Sequence, residues 1–546
     1  MKTSFRIQKI LVFLFMAAIL VVIPQKSGCQ SGSEFNSCGI LFQSSDCLLF
    51  IPFGFDDIPC VLDNYGEYLA GDTVFVSGNL VIGCSTICDS AMGCIEDNSI
   101  TDCFAPNQII IKIEDGLNLD SLLEEFGADI IDSIPEKDVY LALRTTYSYD
   151  LQEIIDSLHA KPGIIFVQPN FLIGLPEACQ IAQAFPDDDA PSHLVGFSPP
   201  DYYGDTGAYV IESDQANLLA RGENIIVAVI DNGIDYNHDL YGGSFAGSGY
   251  DLIDNDTLAA EEPGSLYGHG TFICGIIKRV APDCRFLPIR AFDCNGYTDV
   301  FMIAEAVYLA INDPCDVNII NMSFGLYTDN SVLQQAINDA LMAGITLVAA
   351  PGNDNSSRFH YPGAYPGVIA VSAIDSLDNV TAFSNYGPYI DVCAPGENIY
   401  SALPDTLMWG IWSGTSFSAP MVTGVCALIL SLNPLLSPLE MEQNIRFTAD
   451  RELQWGMVEA PDDEYGYGCV NALNPVIYWK KGDVDNSGSI DIIDVTCLIN
   501  YIYKNGPAPN PFVELGDVDC SGAMDLMDIT LLIAYIYMSS EPLNCL

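Results

Sequence analysis

The chain has 546 residues, 49% of them hydrophobic, and 72 acidic against 19 basic residues, for a formal net charge of -53. Length and apolar content provide for several domains and a large core. The charge excludes a nucleic-acid binder, whose affinity rests on clustered Lys and Arg, and is compatible with an exported protein that carries cation sites.

At the N-terminus Lys2, Arg6 and Lys9 precede an unbroken apolar run from Leu11 to Ile23, which Pro24 ends. A run this short reads as an export signal over residues 1–28 rather than an anchor, and no other stretch reads as a membrane span. Cys29 follows Ser27-Gly28 as in a lipoprotein cleavage site, but Lys26 stands where such sites take an aliphatic residue. A secreted or cell-surface protein of bacterial-type export is therefore the first reading and a lipid anchor at Cys29 the second. The 19 cysteines of an exported chain are expected to be mostly paired, with at least one left over, Cys29 or Cys274. Cys284 and Cys294 bracket RFLPIRAFD; as a strand this separates their Cα atoms by roughly 30 Å, beyond disulfide reach.

Residues 30–104 contain Cys38, Cys47, Cys60, Cys84, Cys88, Cys94 and Cys103 among short apolar runs and Gly, Asp and Asn turns. This predicts a small disulfide-stapled β-barrel, an accessory or spacer domain without chemistry of its own. Over residues 105–175, IIIKI, LDSLLEEFGA, VYLALR, LQEIIDSLHA and IIFVQPN read as strand, helix, strand, helix and strand, a ferredoxin-like pattern. Residues 176–211, rich in Pro, Asp and Gly, read as an exposed linker. Residues 212–475 alternate strand and helix signals (IIVAVID, CGIIKRVA, RFLPIRAF, VFMIAEAVYLAI, VNIINMSF and onward), which predicts an α/β fold with a parallel sheet and helices on both faces. In residues 482–545, GDVDNSGSIDIIDVTCLINYIY recurs as GDVDCSGAMDLMDITLLIAYIY, each an acidic loop followed by an apolar helix.

A nucleophilic serine needs a base within hydrogen-bond reach and an acid that fixes the base's tautomer. Asp231, in IIVAVIDNGID, ends a buried parallel strand, where α/β active sites gather, though an Asp in such a turn is common. His269, in LYGHGTFICGII, stands between Gly268 and Gly270 with Thr271 placed to cap the next helix. The other histidines, His159, His193, His238 and His360, carry no comparable setting and read as incidental. Ser416, in WSGTSFSAPMVTGVCALIL, opens an apolar helix whose positive end favours a developing anion; Ser413, Thr415 and Ser418 are its rivals as ordinary capping residues. Asn353, in TLVAAPGNDN, projects an amide from a turn and is an oxyanion donor candidate.

The words VAVIDNGID, GHGT, INMSFG, PGN and GTSFSAP, in the order Asp, His, Asn, Ser, closely resemble the subtilisin-like serine peptidases (subtilases) over residues 212–475. Asp before His before Ser is the chain order in which that family carries its triad. The resemblance implies a triad of Asp231, His269 and Ser416, with Asn353 and the Ser416 backbone N–H binding the oxyanion. It implies that Ser323-Phe324-Gly325 and Ala350-Pro351-Gly352 flank a broadly apolar primary specificity pocket for protein or peptide substrates. The chain departs from the pattern at Asn232, Phe272, Cys274 and Pro351, and none of these removes a catalytic group. Residues 105–175 resemble the subtilase pro-region, which assists folding, blocks the cleft and is removed.

In the first repeat, oxygens recur at Asp483, Asp485, Ser487, the Ser489 backbone, Asp491 and Asp494, with Gly488 at the sharp turn; in the second at Asp517, Asp519, Ser521, the Ala523 backbone, Asp525 and Asp528, with Gly522. This is a spacing suited to Ca²⁺. The duplicated loop and helix resemble a type I dockerin, which implies a calcium-dependent module and a cohesin-type partner. A secreted serine endopeptidase is thus the expected function. The rival class is an assembly protein on a degenerate protease fold, which loss of a triad residue would mark.

Overall fold

The computed structural model describes, in an N-terminal unit, strands within residues 33–102, and beyond it residues 104–114, 117–144, 151–175, 183–186, 211–404, 408–454 and 456–538. The export segment, Cys29 and nearly all of the expected linker lie outside these residues. In the N-terminal unit β1 (Ser33–Ser44), β2 (Cys47–Pro52), β3 (Cys60–Leu62), β4 (Thr73–Ile82) and β5 (Gly93–Asp102) close a barrel in the order β1-β2-β3-β5-β4, the barrel expected from the short alternating runs.

The next domain holds β6 (Phe104–Ile113), α1 (Leu119–Phe126), β7 (Ala128–Ile134), β8 (Val139–Arg144), α2 (Leu151–His159) and β9 (Ile164–Gly174). Both helices bury one face, Leu119, Leu123 and Phe126 from α1 and Ile154, Ile155 and Leu158 from α2, on the sheet residues Ile109, Ile111 and Val167. The ferredoxin-like reading holds, with one strand missed. ADIIDSI (β7) pairs antiparallel with β8, but its apolar residues do not alternate, because it is an edge strand with a register shift between Ile130 and Asp132.

Beyond a short strand β10 (Gln183–Pro186), the largest domain is built on seven parallel strands: β11 (Ile226–Asp231), β12 (Tyr250–Asp251), β13 (Arg285–Arg290), β15 (Ile319–Met322), β16 (Thr346–Ala349), β17 (Val368–Ile374) and β18 (Val392–Pro395), in the order β12-β13-β11-β15-β16-β17-β18, while β14 (Tyr297–Asp299) pairs with β9. Strands β11, β15, β16, β17 and β18 are buried at every position. That is why they read as continuous Val, Ile and Ala runs rather than alternating ones. A buried Arg290 closes the β13 end by donating to Asp251 (2.8 Å), Asp254 (2.7 Å) and Glu262 (2.8 Å); burial alone would be costly without these partners.

Two expectations are corrected here. The helix Thr415–Leu432 is long and apolar enough to cross a membrane by length and composition, although the sequence was expected to hold no such stretch beyond residue 28; 89% of its apolar window is buried within the fold. It is the central core helix, packed against the sheet. The cysteines of this domain are not paired either: Cys274, Cys284, Cys294, Cys315, Cys393, Cys426 and Cys469 are free thiols. Five of them are buried, where a thiol serves as a small hydrophobic group. Cys284 and Cys294 are indeed not joined to each other. In the C-terminal segment Cys497 is free and Cys520 is disulfide-bonded.

Candidate active site

Asp231 is the last residue of β11 and 1% exposed. Its two oxygens lie 2.9 and 3.0 Å from Nδ1 of His269, which is fully buried at the first turn of the helix His269–Val280. Asp231 Oδ1 also accepts from the Asn232 N–H at 2.8 Å. With Nδ1 bound to a carboxylate, the imidazole presents Nε2 as its basic end. Asn232 fastens the histidine loop from both sides: its Nδ2 donates to Leu266 O (2.7 Å) and its Oδ1 accepts from Gly270 N (3.0 Å). A side chain at residue 270 is impossible, since a Cβ there would sit 2.0 Å from Gly233 O.

Thr271 does not cap the helix as expected. Gly268 occupies the capping position. The Thr271 hydroxyl instead accepts from Asp235 N at 2.8 Å, while Thr271 N donates to Glu261 Oε1 at 2.6 Å. Glu261, which no sequence motif marked, therefore supplies the acceptor at this helix start. Phe272 and Cys274 fill core positions, Phe272 packing on Phe417 (ring centroids 4.8 Å) and Trp412 (5.8 Å).

Ser416 is the second residue of the helix Thr415–Leu432 and is buried. Its hydroxyl donates to Ser323 O (3.1 Å), and the Ser323 hydroxyl donates to Ser416 O (2.9 Å). Beneath them Asn321 Nδ2 donates to Ser323 Oγ (3.0 Å) and Thr423 Oγ1 donates to Asn321 Oδ1 (2.8 Å), a satisfied polar chain that ties the serine to β15. Among its rivals, Ser418 turns away and donates to Ala394 O at 3.1 Å. Asn353 Oδ1 accepts from both Thr415 N and Thr415 Oγ1 at 2.9 Å, an arrangement that orients the Nδ2 end of the amide as a donor. Asn385 holds that turn: its Oδ1 accepts from Asp354 N (3.0 Å) and Ser356 N (2.9 Å), and its Nδ2 donates to Pro351 O (2.7 Å). Single polar residues such as Asn385 and Glu261 left no signature in the sequence, and Asn321, although it stands in the INMSFG word, was given no role there; the tertiary contacts give all three their roles.

In the C-terminal segment Asp483, Asp485 and Asp494 bring oxygens within 4.8 Å of one another, and Asp517, Asp519 and Asp528 do the same. The two loops match bond for bond. Asp494 accepts from Val484 N and Asp528 from Val518 N, both at 2.7 Å; Asp483 accepts from Gly488 N (3.0 Å) and Asp517 from Gly522 N (3.1 Å). The Ser487 hydroxyl lies 3.2 Å from Ser489 O, and that of Ser521 3.0 Å from Ala523 O. Asp491 and Asp525 are not among the converging carboxylates. Each caps its helix, accepting from Ile493 N and Met527 N at 2.6 Å. An all-oxygen set of this kind fits a hard cation such as Ca²⁺. The helices Ile492–Lys504 and Leu526–Met538 bury Val495, Leu498, Ile529 and Leu532 together with Val484.

Known proteins match the chain along most of this length. The Subtilase family profile matches residues 222–468, a Fervidolysin N-terminal prodomain profile residues 94–170, and a Dockerin type I domain profile residues 481–537. The Thermophilic serine proteinase of Bacillus sp. (strain AK1) is 31% identical over 389 residues, covering 69% of this chain and 88% of that protein. Thermitase of Thermoactinomyces vulgaris is 33% identical over 295 residues, 52% of this chain and 100% of that protein. Fervidolysin from Fervidobacterium pennivorans shares the fold, with a TM-score of 0.57 and 24% identity over 68% of this chain and 61% of that structure. The chain belongs to the subtilase family of serine peptidases. It carries in addition a dockerin type I domain, a module that typically binds calcium.

Glu261 yields a pH-dependent test. Its Oε2 is buried with no hydrogen-bond partner. Burial, opposed by the Thr271 hydrogen bond and reinforced by Asp231, pushes its pKa up to about 8. The unfolded value is about 4.3, so the folded state binds the proton more tightly, and stability falls as pH rises from there toward 8. In an inactive Ser416→Ala background, Glu261→Gln keeps the acceptor for Thr271 and removes the ionisation. Its Tm should match the parent at pH 4 and exceed it increasingly up to pH 8. A difference that does not change with pH would contradict this assignment.

Proposed function

We propose that the chain is a secreted serine endopeptidase using Asp231, His269 and Ser416, and the Asp231–His269 contact at full burial is the observation that carries the reading. His269 Nε2 removes the Ser416 hydroxyl proton as Oγ attacks the substrate carbonyl. Asp231 stabilises the imidazolium without taking the proton. The oxyanion binds the Ser416 N–H and Asn353 Nδ2. The imidazolium then protonates the leaving amine, and water repeats the sequence on the acyl-enzyme. The rival reading, a degenerate fold, would leave the satisfied polar chain from Thr423 to Ser416 without a purpose.

Residues 105–175 act as an inhibitory pro-region. In support, β9 pairs antiparallel with Tyr297–Asp299, Gly174 bridges Gly325 on the expected pocket wall, and Leu175 N donates to Gly296 O at 2.9 Å. This strand lies along the wall that leads to Ser323 and Ser416, as a substrate strand would. We take residues 212–475 as the peptidase domain, residues 30–104 as an accessory domain and residues 482–545 as the docking module. Cleavage falls beyond Leu175, within the expected linker. An export signal over residues 1–28 would put the enzyme outside the cell.

Purified secreted enzyme should hydrolyse unfolded protein, and Ser416→Ala should lose several orders of magnitude in kcat. Asn353→Leu should lose roughly 100- to 1,000-fold in kcat with little change in KM, the range that removal of one oxyanion donor costs in subtilisin itself. A KM effect alone would reduce Asn353 to a substrate contact, and an active Ser416→Ala variant would refute the nucleophile.

The docking module would hold one Ca²⁺ per loop, at Asp483, Asp485, Ser487, the Ser489 carbonyl and Asp494, and at Asp517, Asp519, Ser521, the Ala523 carbonyl and Asp528, with Asp491 and Asp525 reached through water. Ca²⁺ would neutralise carboxylates that otherwise repel and so couple binding to folding. A cohesin-type domain is the partner of that folded state. Residues 481–546 expressed alone should gain helical circular dichroism on adding Ca²⁺, and Asp483→Ala with Asp517→Ala should abolish the gain. A spectrum and melting curve indifferent to Ca²⁺ would rule out the calcium role.

A further inference from the structure

The segments Ser323–Gly325 and Ala350–Gly352 are the expected walls of the primary specificity pocket, and the ring of His360 lies against both. A Cβ on Gly325 would stand 2.3 Å from His360 Cε1 and 2.6 Å from its Nδ1; one on Gly352 would stand 3.3 Å from Cε1 and from Nε2. It is because both wall residues are glycine that the imidazole fits between them. Only 5% of His360 is exposed. Its ring meets Tyr327 edge-on with centroids 4.9 Å apart, and Tyr327 is itself engaged with Asp354 and Asn385.

The two ring nitrogens differ. His360 is hydrogen-bonded to the Ala350 backbone in the manner that favours its protonated form, as an N–H donating to a carbonyl does. Nδ1 is buried without a hydrogen-bond partner, so the bond to Ala350 belongs to Nε2. Burial, with a smaller push from Arg358, lowers the pKa to about 4. The ring is therefore neutral at pH 7, with its proton on Nε2 and a lone pair on Nδ1. An acceptor left unmatched in this position, against both walls, is open to a donor from the substrate.

We propose that His360 determines the primary specificity of the enzyme: it closes the slot between the two walls to large side chains and offers Nδ1 to a hydrogen-bond donor on the residue preceding the scissile bond. The preferred residues at that position are then Ser, Thr and Asn. The broadly apolar pocket implied by the family resemblance would require the slot to be open. This inference rests on the reading of Ser416 as nucleophile and of the two segments as pocket walls.

The test is kcat/KM of the purified secreted enzyme on peptides that differ only in the residue before the scissile bond, Ser, Thr, Asn, Leu or Phe. Wild type should favour Ser, Thr and Asn over Phe by about tenfold or more, the scale on which pocket shape and a hydrogen bond discriminate. His360→Gly should reverse the order, gaining on Phe and losing on Ser, Thr and Asn; His360→Ala should move the same way if the glycine variant is not secreted. Wild-type preference for Phe, or an order unchanged between wild type and either variant, overturns the proposal and leaves the catalytic reading intact. A folded wild type that cleaves none of the peptides overturns the catalytic reading and this one with it.

Discussion

A carboxylate with 1% exposure at the end of a buried strand is tolerable only if its oxygens are matched. Asp231 meets that condition with His269 Nδ1 and Asn232 N, and much of the local structure follows from delivering those partners. Asn232 then binds the incoming loop at Leu266 and Gly270. Glu261 receives the amide of Thr271, so the first turn of the histidine helix is satisfied without water. Parallel neighbours on both sides of β11 keep the site dry, which strengthens each of these contacts.

The serine is held by a different device. The helix Thr415–Leu432 is buried along nearly its whole length, so its position is set by packing and its first turn has little freedom. The polar chain Thr423, Asn321, Ser323, Ser416 then holds Ser416 against β15. Asn353 is locked by Thr415 of the same helix start. Ser416 and Asn353, the proposed nucleophile and oxyanion donor, thus share one rigid support, the arrangement that preorganised electrostatic catalysis requires.

Much of this was legible in the sequence because the constraints are local. A strand buried on both faces shows as an apolar run, the candidate serine opens an apolar helix, and glycines flank the histidine. The duplicated acidic loops were legible for the same reason: the ligands of a calcium loop of this kind lie within about twelve residues. What could not be read depends on contacts between distant segments. Glu261 and Asn385 are ordinary polar residues until the fold gives them partners. His360 looked incidental because the walls it touches are brought beside it only by the fold. Thr271 was misassigned because the helix begins earlier, at His269; of the free thiols only Cys274 was singled out as a candidate, because cysteine count speaks of compartment and not of position. The core helix satisfies membrane criteria because burial in protein and burial in lipid select the same residues.

A serine peptidase of this family depends on a reactive nucleophile, and the proposed one is Ser416. The most direct measurement is reaction of the mature enzyme with a biotinylated fluorophosphonate, followed by mass spectrometry of its peptides. A single adduct on Ser416 in wild type, lost in His269→Ala although that variant remains folded, is the predicted result. No adduct on a folded wild type, or an adduct that persists unchanged without His269, would contradict the triad.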